Sequence, residues 1–237
     1  MILAAGRGER MRPLTDHIPK PLLKAGGKPL IVWHIENLVR SGIRELVINH
    51  AHLGHQIEDA LGDGGRFGAE IRYSAESNAL ETAGGIAHAL PLLGCAPFAV
   101  INGDIHCDYD FTRLHAAAEN LAAANDAAHL VLVDNPLHHL QGDFLLQDDR
   151  ILSSSTSSIP HPQSCPFLTF SGIGIYSPAL FRDIPQGSKA PLAPLLREQI
   201  ALGRVGGEHH KGRWVDVGTP ERLAELDTYL SIELDHV

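Results

Sequence analysis

Apolar and polar residues along this chain alternate between two periods. Residues 1–5, Met1-Ile2-Leu3-Ala4-Ala5, form a short apolar run ending in a glycine turn, as a buried strand does. Residues 29–39 then place Leu30, Ile31, Ile35, Leu38 and Val39 at helical spacing before a stop at Ser41-Gly42. The exchange repeats, predicting strands at 45–49, 70–73, 98–102 and 129–133 and helices near 53–61, 84–93 and 111–121. Parallel neighbours need a crossover of about a dozen residues, which such helices supply. The pattern therefore predicts an α/β fold with a doubly wound, mostly parallel, Rossmann-like sheet.

Beyond residue 136 the pattern changes. Residues 142–146 and 167–176 read as strands, some antiparallel, forming an added part before a helix near 191–202. Trp214-Val215-Asp216 runs to a strand end, and the last helix starts with Thr219 as cap and Pro220 in first position. Ser and Pro residues at 153–166 make a loop that either crosses the surface or covers a site as a lid. The whole of 1–237 is expected as one domain.

A composition of 44% hydrophobic but only 5% aromatic residues suits parallel strands packed under helices. Net charge is −9, which argues against nucleic acid or an anionic membrane surface as partner. Charge is uneven, however: residues 1–28 carry Arg7, Arg10, Arg12, Lys20, Lys24 and Lys28 against only Glu9 and Asp16, which implies a small anionic ligand. Cys95, Cys107 and Cys165 lack metal or redox spacing and read as reduced thiols of a cytoplasmic protein. No basic leader or membrane span is expected, and a monomer is slightly favoured over an oligomer. His50, His52 and His55 invite a metal reading, but at a strand end followed by a helix start they serve more simply as hydrogen-bonding groups.

The chemistry concentrates where the first strand ends. Ala5-Gly6-Arg7-Gly8-Glu9-Arg10-Met11-Arg12-Pro13-Leu14-Thr15 and Pro19-Lys20-Pro21-Leu22 combine small residues, which let backbone N–H groups approach phosphate oxygens, with fixed cations that neutralise them. The run lacks the Gly-Lys-Ser/Thr of a P-loop and the glycine spacing of a dinucleotide fingerprint. It resembles, nearly residue for residue, the signature of the sugar-1-phosphate nucleotidyltransferases. That resemblance implies a nucleotide site at Ala5, Gly6, Gly8, Glu9, Arg10 and Lys20, with Arg10 and Lys20 catalytic.

Asn102-Gly103-Asp104 and Asp216-Val217-Gly218-Thr219 each place an aspartate at a strand end, where ligands gather in open α/β sheets. Taken singly, each also fits a turn or a cap. The family resemblance implies that Asp104 and Asp216 hold Mg²⁺; Asp108 and Asp110 read as helix-capping acids. A sugar 1-phosphate oxygen is already anionic, so attack on the α-phosphorus of a nucleoside triphosphate needs no general base, and no Ser-His-Asp arrangement supplies one.

The closer resemblance runs end to end and is to the compact uridylyltransferase branch serving peptidoglycan recycling. It rests on Val47–Ala51, Leu130–Pro136, His138-His139, Phe170-Ser171-Gly172 and the Trp214–Thr219 run. It implies UTP as donor, with Glu76, Glu81, Thr82 and Gly84 near the base and Thr82 doubling as a helix cap. It also implies a muramyl sugar 1-phosphate as acceptor, near Asn102, Gly142, Asp143, Ser171, Gly172 and Asp216. A lactyl carboxylate would want a cation, for which Arg150, His138, His139 and Lys189 all remain open. Guanylyl transfer to mannose 1-phosphate, thymidylyl transfer to glucose 1-phosphate and an inactive nucleotide-sugar sensor are the competing readings.

Overall fold

Over its first 133 residues the chain follows the predicted alternation of strands and helices. The structure, a computed structural model, describes residues 1–152 and 167–235; the expected loop at 153–166 lies outside them. The elements are β1 (Ile2–Leu3), β2 (Lys24–Ala25), β3 (Lys28–Pro29), α1 (Leu30–Arg40), β4 (Glu45–His50), α2 (Gly54–Leu61), β5 (Glu70–Ala75), α3 (Glu81–Leu93), β6 (Phe98–Asn102) and β7 (Ile105–Cys107). They continue with α4 (Arg113–Ala124), β8 (Ala128–Val133), β9 (Phe144–Gln147), β10 (Arg150–Leu152), β11 (Phe167–Tyr176), α5 (Leu192–Ala201), β12 (Val205–His210), β13 (Trp214–Asp216) and α6 (Pro220–Asp235).

Nine strands form one sheet in the order β5-β4-β1-β6-β11-β8-β12-β10-β9. The β5-β4-β1-β6 half is parallel, as is β8 with β12, and helices supply the crossovers. The antiparallel share is larger than the alternation alone indicates, because β11 inserts between β6 and β8 and runs against both. β10 and β9 are antiparallel too, and β9 turns back to pair with β11. β12 was not legible as a strand: its Val-Gly-Gly-Glu-His-His carries two residues that weaken strands, and at Gly207 a Cβ would stand 2.5 Å from the Ile151 side chain.

Alternate residues feed two cores. On one face Ile48, Ile101, Val131, Ile173 and Ile175 pack with α1, α2 and α4; on the other Val47, Val100, Leu130, Leu132 and Tyr176 pack with α3 and α5. A third cluster joins Met11, Leu23, Ala25 and Leu30 to Val217, Leu226 and Leu230, so α6 docks on the segment that follows the opening loop. The Gly26 N–H donates to Asp227 Oδ1 at 2.8 Å across this contact. Segments 11–30 and 217–230 are thereby brought together.

Inside α1, buried His34 meets the Ile105 carbonyl through Nε2 at 2.8 Å. Burial pushes its pKa down to about 4, against a smaller upward pull from that carbonyl. Folding holds the ring neutral while the unfolded chain protonates it near 6.5, so stability is undiminished above about 6.5 and falls as pH drops toward 4. Over that window the loss is roughly 3 kcal/mol. Urea midpoints at pH 7 and pH 5 are expected to separate less in His34→Gln than in the parent; equal separation would contradict the assignment.

Candidate active site

The register of β1 sets the site. Leu3 pairs with Asn49 on one side and Asn102 on the other, so β1, β4 and β6 end together. After Leu3 the chain leaves the ladder: the Ala4 N–H donates to Asn49 Oδ1 at 2.9 Å, which is why β1 is shorter than the apolar run 1–5. Asn49 Nδ2 in turn donates to Glu76 Oε1 at 2.6 Å, and Glu76 Oε2 accepts the Leu80 N–H at 2.9 Å. Buried Glu76 thus braces the strand ends, with both oxygens engaged.

The opening loop is pinned from below. Gly8 adopts φ +68, a left-handed conformation that favours glycine, and its carbonyl accepts the Thr15 hydroxyl at 2.9 Å and the Met11 N–H at 2.9 Å. Gly6 faces open space. Lys20 starts a 3-10 turn, is almost fully buried, and extends Nζ to Asp104 Oδ2 at 2.6 Å. Arg10 and Glu9 are exposed, and Arg10 has no hydrogen-bond partner among the described residues.

The two aspartates are joined by a short ladder. β7 and β13 pair antiparallel with Asp216 opposite Ile105, and the Val217 N–H donates to the Asp104 carbonyl at 2.9 Å. Residues more than a hundred positions apart thus stand on adjacent rungs. Asp104 Oδ2 holds Lys20 and Asp216 Oδ2 accepts from Arg222 Nη1 at 2.7 Å; among the described residues neither Oδ1 has a protein donor. Two free carboxylate oxygens on neighbouring rungs fit a hard dication such as Mg²⁺, which takes one or two carboxylates and keeps waters.

Three cavities meet here. The first, about 220 Å³, is lined by Ala5, Gly6, Glu76, Glu81, Thr82 and Asn102 with Lys20 and Asp104. The second, about 200 Å³, lies over Gly6, Gly8, Glu9 and Arg10, again with Lys20 and Asp104. The third, about 420 Å³, is bounded by Arg10, Asn102, Asp104, His138, His139, Asp143, Ser171 and Asp216. Asp104 lines all three, so the three cavities cluster about one carboxylate.

Other expected residues take different positions. Helix α3 begins at Glu81, whose φ is +61, so Thr82 lies inside the helix and does not cap it. Gly84 does not line the cleft: its N–H goes to the Ala190 carbonyl at 3.0 Å, and a Cβ there would collide with Ser188. Ser171 turns its hydroxyl into the sheet, to the Val131 carbonyl at 2.7 Å. Gly142 shapes its turn at φ +63 and is not a lining residue. Arg150 is paired with Asp126 at 2.5 Å on β10, and Lys189 is an exposed loop residue outside the third cavity. Asp110 accepts from the Thr112 N–H and hydroxyl before α4, whereas Asp108 pairs with His210 at 2.7 Å.

The histidines at 50, 52 and 55 form no three-donor metal group among the described residues; His50 faces Glu58 at 2.7 Å. Such a group occurs at Cys107, Asp108 and His210, at the far end of the β7 ladder, where burial pushes the thiol up to about 12.

Gly172 shows how the third cavity is shaped. It sits at φ +84 in the irregular stretch of β11, where a Cβ would stand 2.6 Å from Asn102 Nδ2. Gly172→Ala is expected to cost about 1–2 kcal/mol from the backbone alone and to displace Asn102 as well. A denaturant midpoint equal to that of the parent would contradict this.

One residue beside Asp216 belongs to no sequence motif. Arg222 stands in the first turn of α6, where a helix dipole disfavours a cation, and donates to Asp216 Oδ2 and to His138 Nε2 at 2.8 Å. That unfavourable placement was the available signal.

The chain belongs to the nucleotidyl transferase family, whose model matches residues 1–139 and so takes in the glycine loop, Lys20 and Asp104. Enzymes of this family generally act with a divalent metal. The chain is 55% identical over 95% of its length to N-acetylmuramate alpha-1-phosphate uridylyltransferase of Neisseria meningitidis serogroup B, covering 95% of that protein. It is 33% identical to the Caulobacter vibrioides protein of the same name, over 98% of this chain and 96% of that one. A Bacillus anthracis crystal structure assigned as a glucose-1-phosphate thymidylyltransferase matches the fold with a TM-score of 0.81 at 21% identity, covering 97% of this chain and 94% of that chain.

Proposed function

We propose that this protein transfers the uridylyl group of UTP to N-acetylmuramate 1-phosphate, forming UDP-N-acetylmuramate and pyrophosphate in peptidoglycan recycling. The observation that carries the reading is Asp104, which borders all three cavities and so marks where nucleotide, triphosphate and sugar phosphate would converge. The high identity to the Neisseria meningitidis enzyme supports the choice of base and sugar. Among the described residues no helix is long and apolar enough to cross a membrane. On the proposed reading, the protein works on small molecules in the cytoplasm as a single-domain monomer.

In this scheme uracil enters the first cavity beside Glu81 and Thr82, while the triphosphate lies over Gly6 and Gly8. A phosphate oxygen of the sugar attacks the α-phosphorus; the bond from that phosphorus to the bridging oxygen breaks and pyrophosphate leaves with both electrons. Lys20 neutralises the phosphates of donor and acceptor, and Arg10, exposed at the junction of the second and third cavities, receives the leaving pyrophosphate. Asp104 and Asp216 would hold Mg²⁺, which supplies Lewis-acid charge at the α-phosphoryl group when bound. Buried Glu76 and Asn49 keep the loop in shape rather than exchange protons.

Pyrophosphate release measured with UTP, GTP, ATP and dTTP, each against N-acetylmuramate, N-acetylglucosamine, mannose and glucose 1-phosphates, tests the reading. UTP with N-acetylmuramate 1-phosphate is expected to be the best pair. Strong preference for GTP would remove the uridylyl assignment. Tight UTP binding without pyrophosphate formation at any Mg²⁺ concentration would replace an enzyme with a sensor.

A further inference from the structure

N-acetylmuramate differs from N-acetylglucosamine by a lactyl ether whose carboxylate is ionised at neutral pH. Carried into a cavity that already holds Asp104, Asp143 and Asp216, that charge needs a fixed cation. Most cations are spoken for. Lys20 is held by Asp104 at 2.6 Å, and His139 by Asp143 at 3.0 Å. Arg10 sits at the junction with the triphosphate cavity. Arg150 is bound to Asp126 and Lys189 is not at the cavity; directly behind the wall residues His138 and Asp216 stands Arg222.

Arg222 reaches the cavity wall through two residues that line it, Asp216 and His138, and it contacts both with Nη1, at 2.7 and 2.8 Å. Its side chain is only 18% exposed, so the guanidinium is fixed by these partners. Nε and Nη2 have no acceptor among the described residues. Those two donors form the edge of a guanidinium that takes a carboxylate in a two-point fork. Glycine at position 218 makes room for this edge: a Cβ there would collide with Arg222 Nη2. A fixed, partly desolvated cation with its two-point edge unspent is what recognition of a carboxylate requires.

We propose that Arg222, flanked by His138, is the receptor for the acidic substituent of the sugar and sets the preference for N-acetylmuramate 1-phosphate over its uncharged parent. This deepens the function proposed above and rests on it. Recognition here is a two-point hydrogen bond, so the discrimination it provides is lost when the donor edge is lost, and is partly kept when a single positive charge replaces it.

The test compares kcat/KM for N-acetylmuramate 1-phosphate and N-acetylglucosamine 1-phosphate, both with UTP, and the equilibrium binding of the two UDP-sugar products by calorimetry. In Arg222→Gln the ratio of the two kcat/KM values, and the ratio of product affinities, are expected to fall by about tenfold or more. Arg222→Lys should keep part of the preference, Gly218→Ala should reduce it by crowding Nη2, and Lys189→Ala should leave the ratio unchanged. Arg222→Gln lowering both substrates in the same proportion would reduce Arg222 to a prop for Asp216 and overturn the proposal. An unchanged ratio in Arg222→Gln, with wild-type preference present, would overturn the receptor and leave the uridylyl assignment standing. A wild-type protein without preference for the muramyl sugar would overturn both.

Discussion

Lys20→Ala is expected to lower kcat/KM by about a hundredfold or more while the protein stays folded. The side chain is the most buried cation of the cleft, and its Nζ, 2.6 Å from Asp104, stands where the first and second cavities join. A cation fixed there needs no reorganisation as charge develops on the phosphates, and losing such a donor costs about 3–4 kcal/mol of barrier. The fold tolerates the loss because Asp104 is 39% exposed and water can solvate it. Lys20→Arg should not restore activity: the wider guanidinium cannot replace the buried Lys20 stem, which runs close beside Gly8. Steady-state kinetics and thermal melting of the same preparations check both halves; near-normal turnover would refute the role of Lys20.

Asp104→Asn is the second large effect. The change keeps shape but removes the negative charge from the one side chain common to all three cavities. It should lower kcat by about two to three orders of magnitude and raise the Mg²⁺ concentration at half-maximal rate, because half of a two-carboxylate set is gone. The backbone tie between the Asp104 carbonyl and Val217 is untouched, so the melting temperature should move little. Pyrophosphate release over a Mg²⁺ titration reads the kinetic part, and Mn²⁺ binding without substrate reads the metal part. An unchanged metal requirement would contradict the assignment.

How far the fold was legible depends on where its information is local. Helix–strand exchange up to residue 133 was readable because each strand there is an apolar run bounded by turns, and Ile2, Ile48 and Ile101 pair as their shared pattern suggests. The insertion of β11 between β6 and β8 was not readable, since pairing order is a property of distant partners and not of any window. β12 escaped for the opposite reason: its glycines erase the local signal while the neighbouring β8 supplies the pairing.

The site divides in the same way. Gly8, Arg10, Lys20, Asp104 and Asp216 could be named from short motifs, and the structure brings Gly8, Arg10, Lys20 and Asp104 to the second cavity and Arg10, Asp104 and Asp216 to the third. Roles set by tertiary contacts were not visible. Gly84 and Ser171 spend their polar groups on neighbouring chain segments, and Arg150 has its own partner in Asp126. Arg222 belongs to no short motif, and it is the docking of α6 that sets it beside Asp216.

The claim on which the rest depends is that Asp104 and Asp216, brought together by the β7–β13 ladder, grip one cation. Crystals grown with Mn²⁺ and a non-hydrolysable UTP analogue give the direct measurement through anomalous scattering. A single peak should lie about 2 Å from one oxygen of each aspartate, with the triphosphate over Gly6 and Gly8. A metal ligated by only one of the two carboxylates, or seated elsewhere in the molecule, would contradict it.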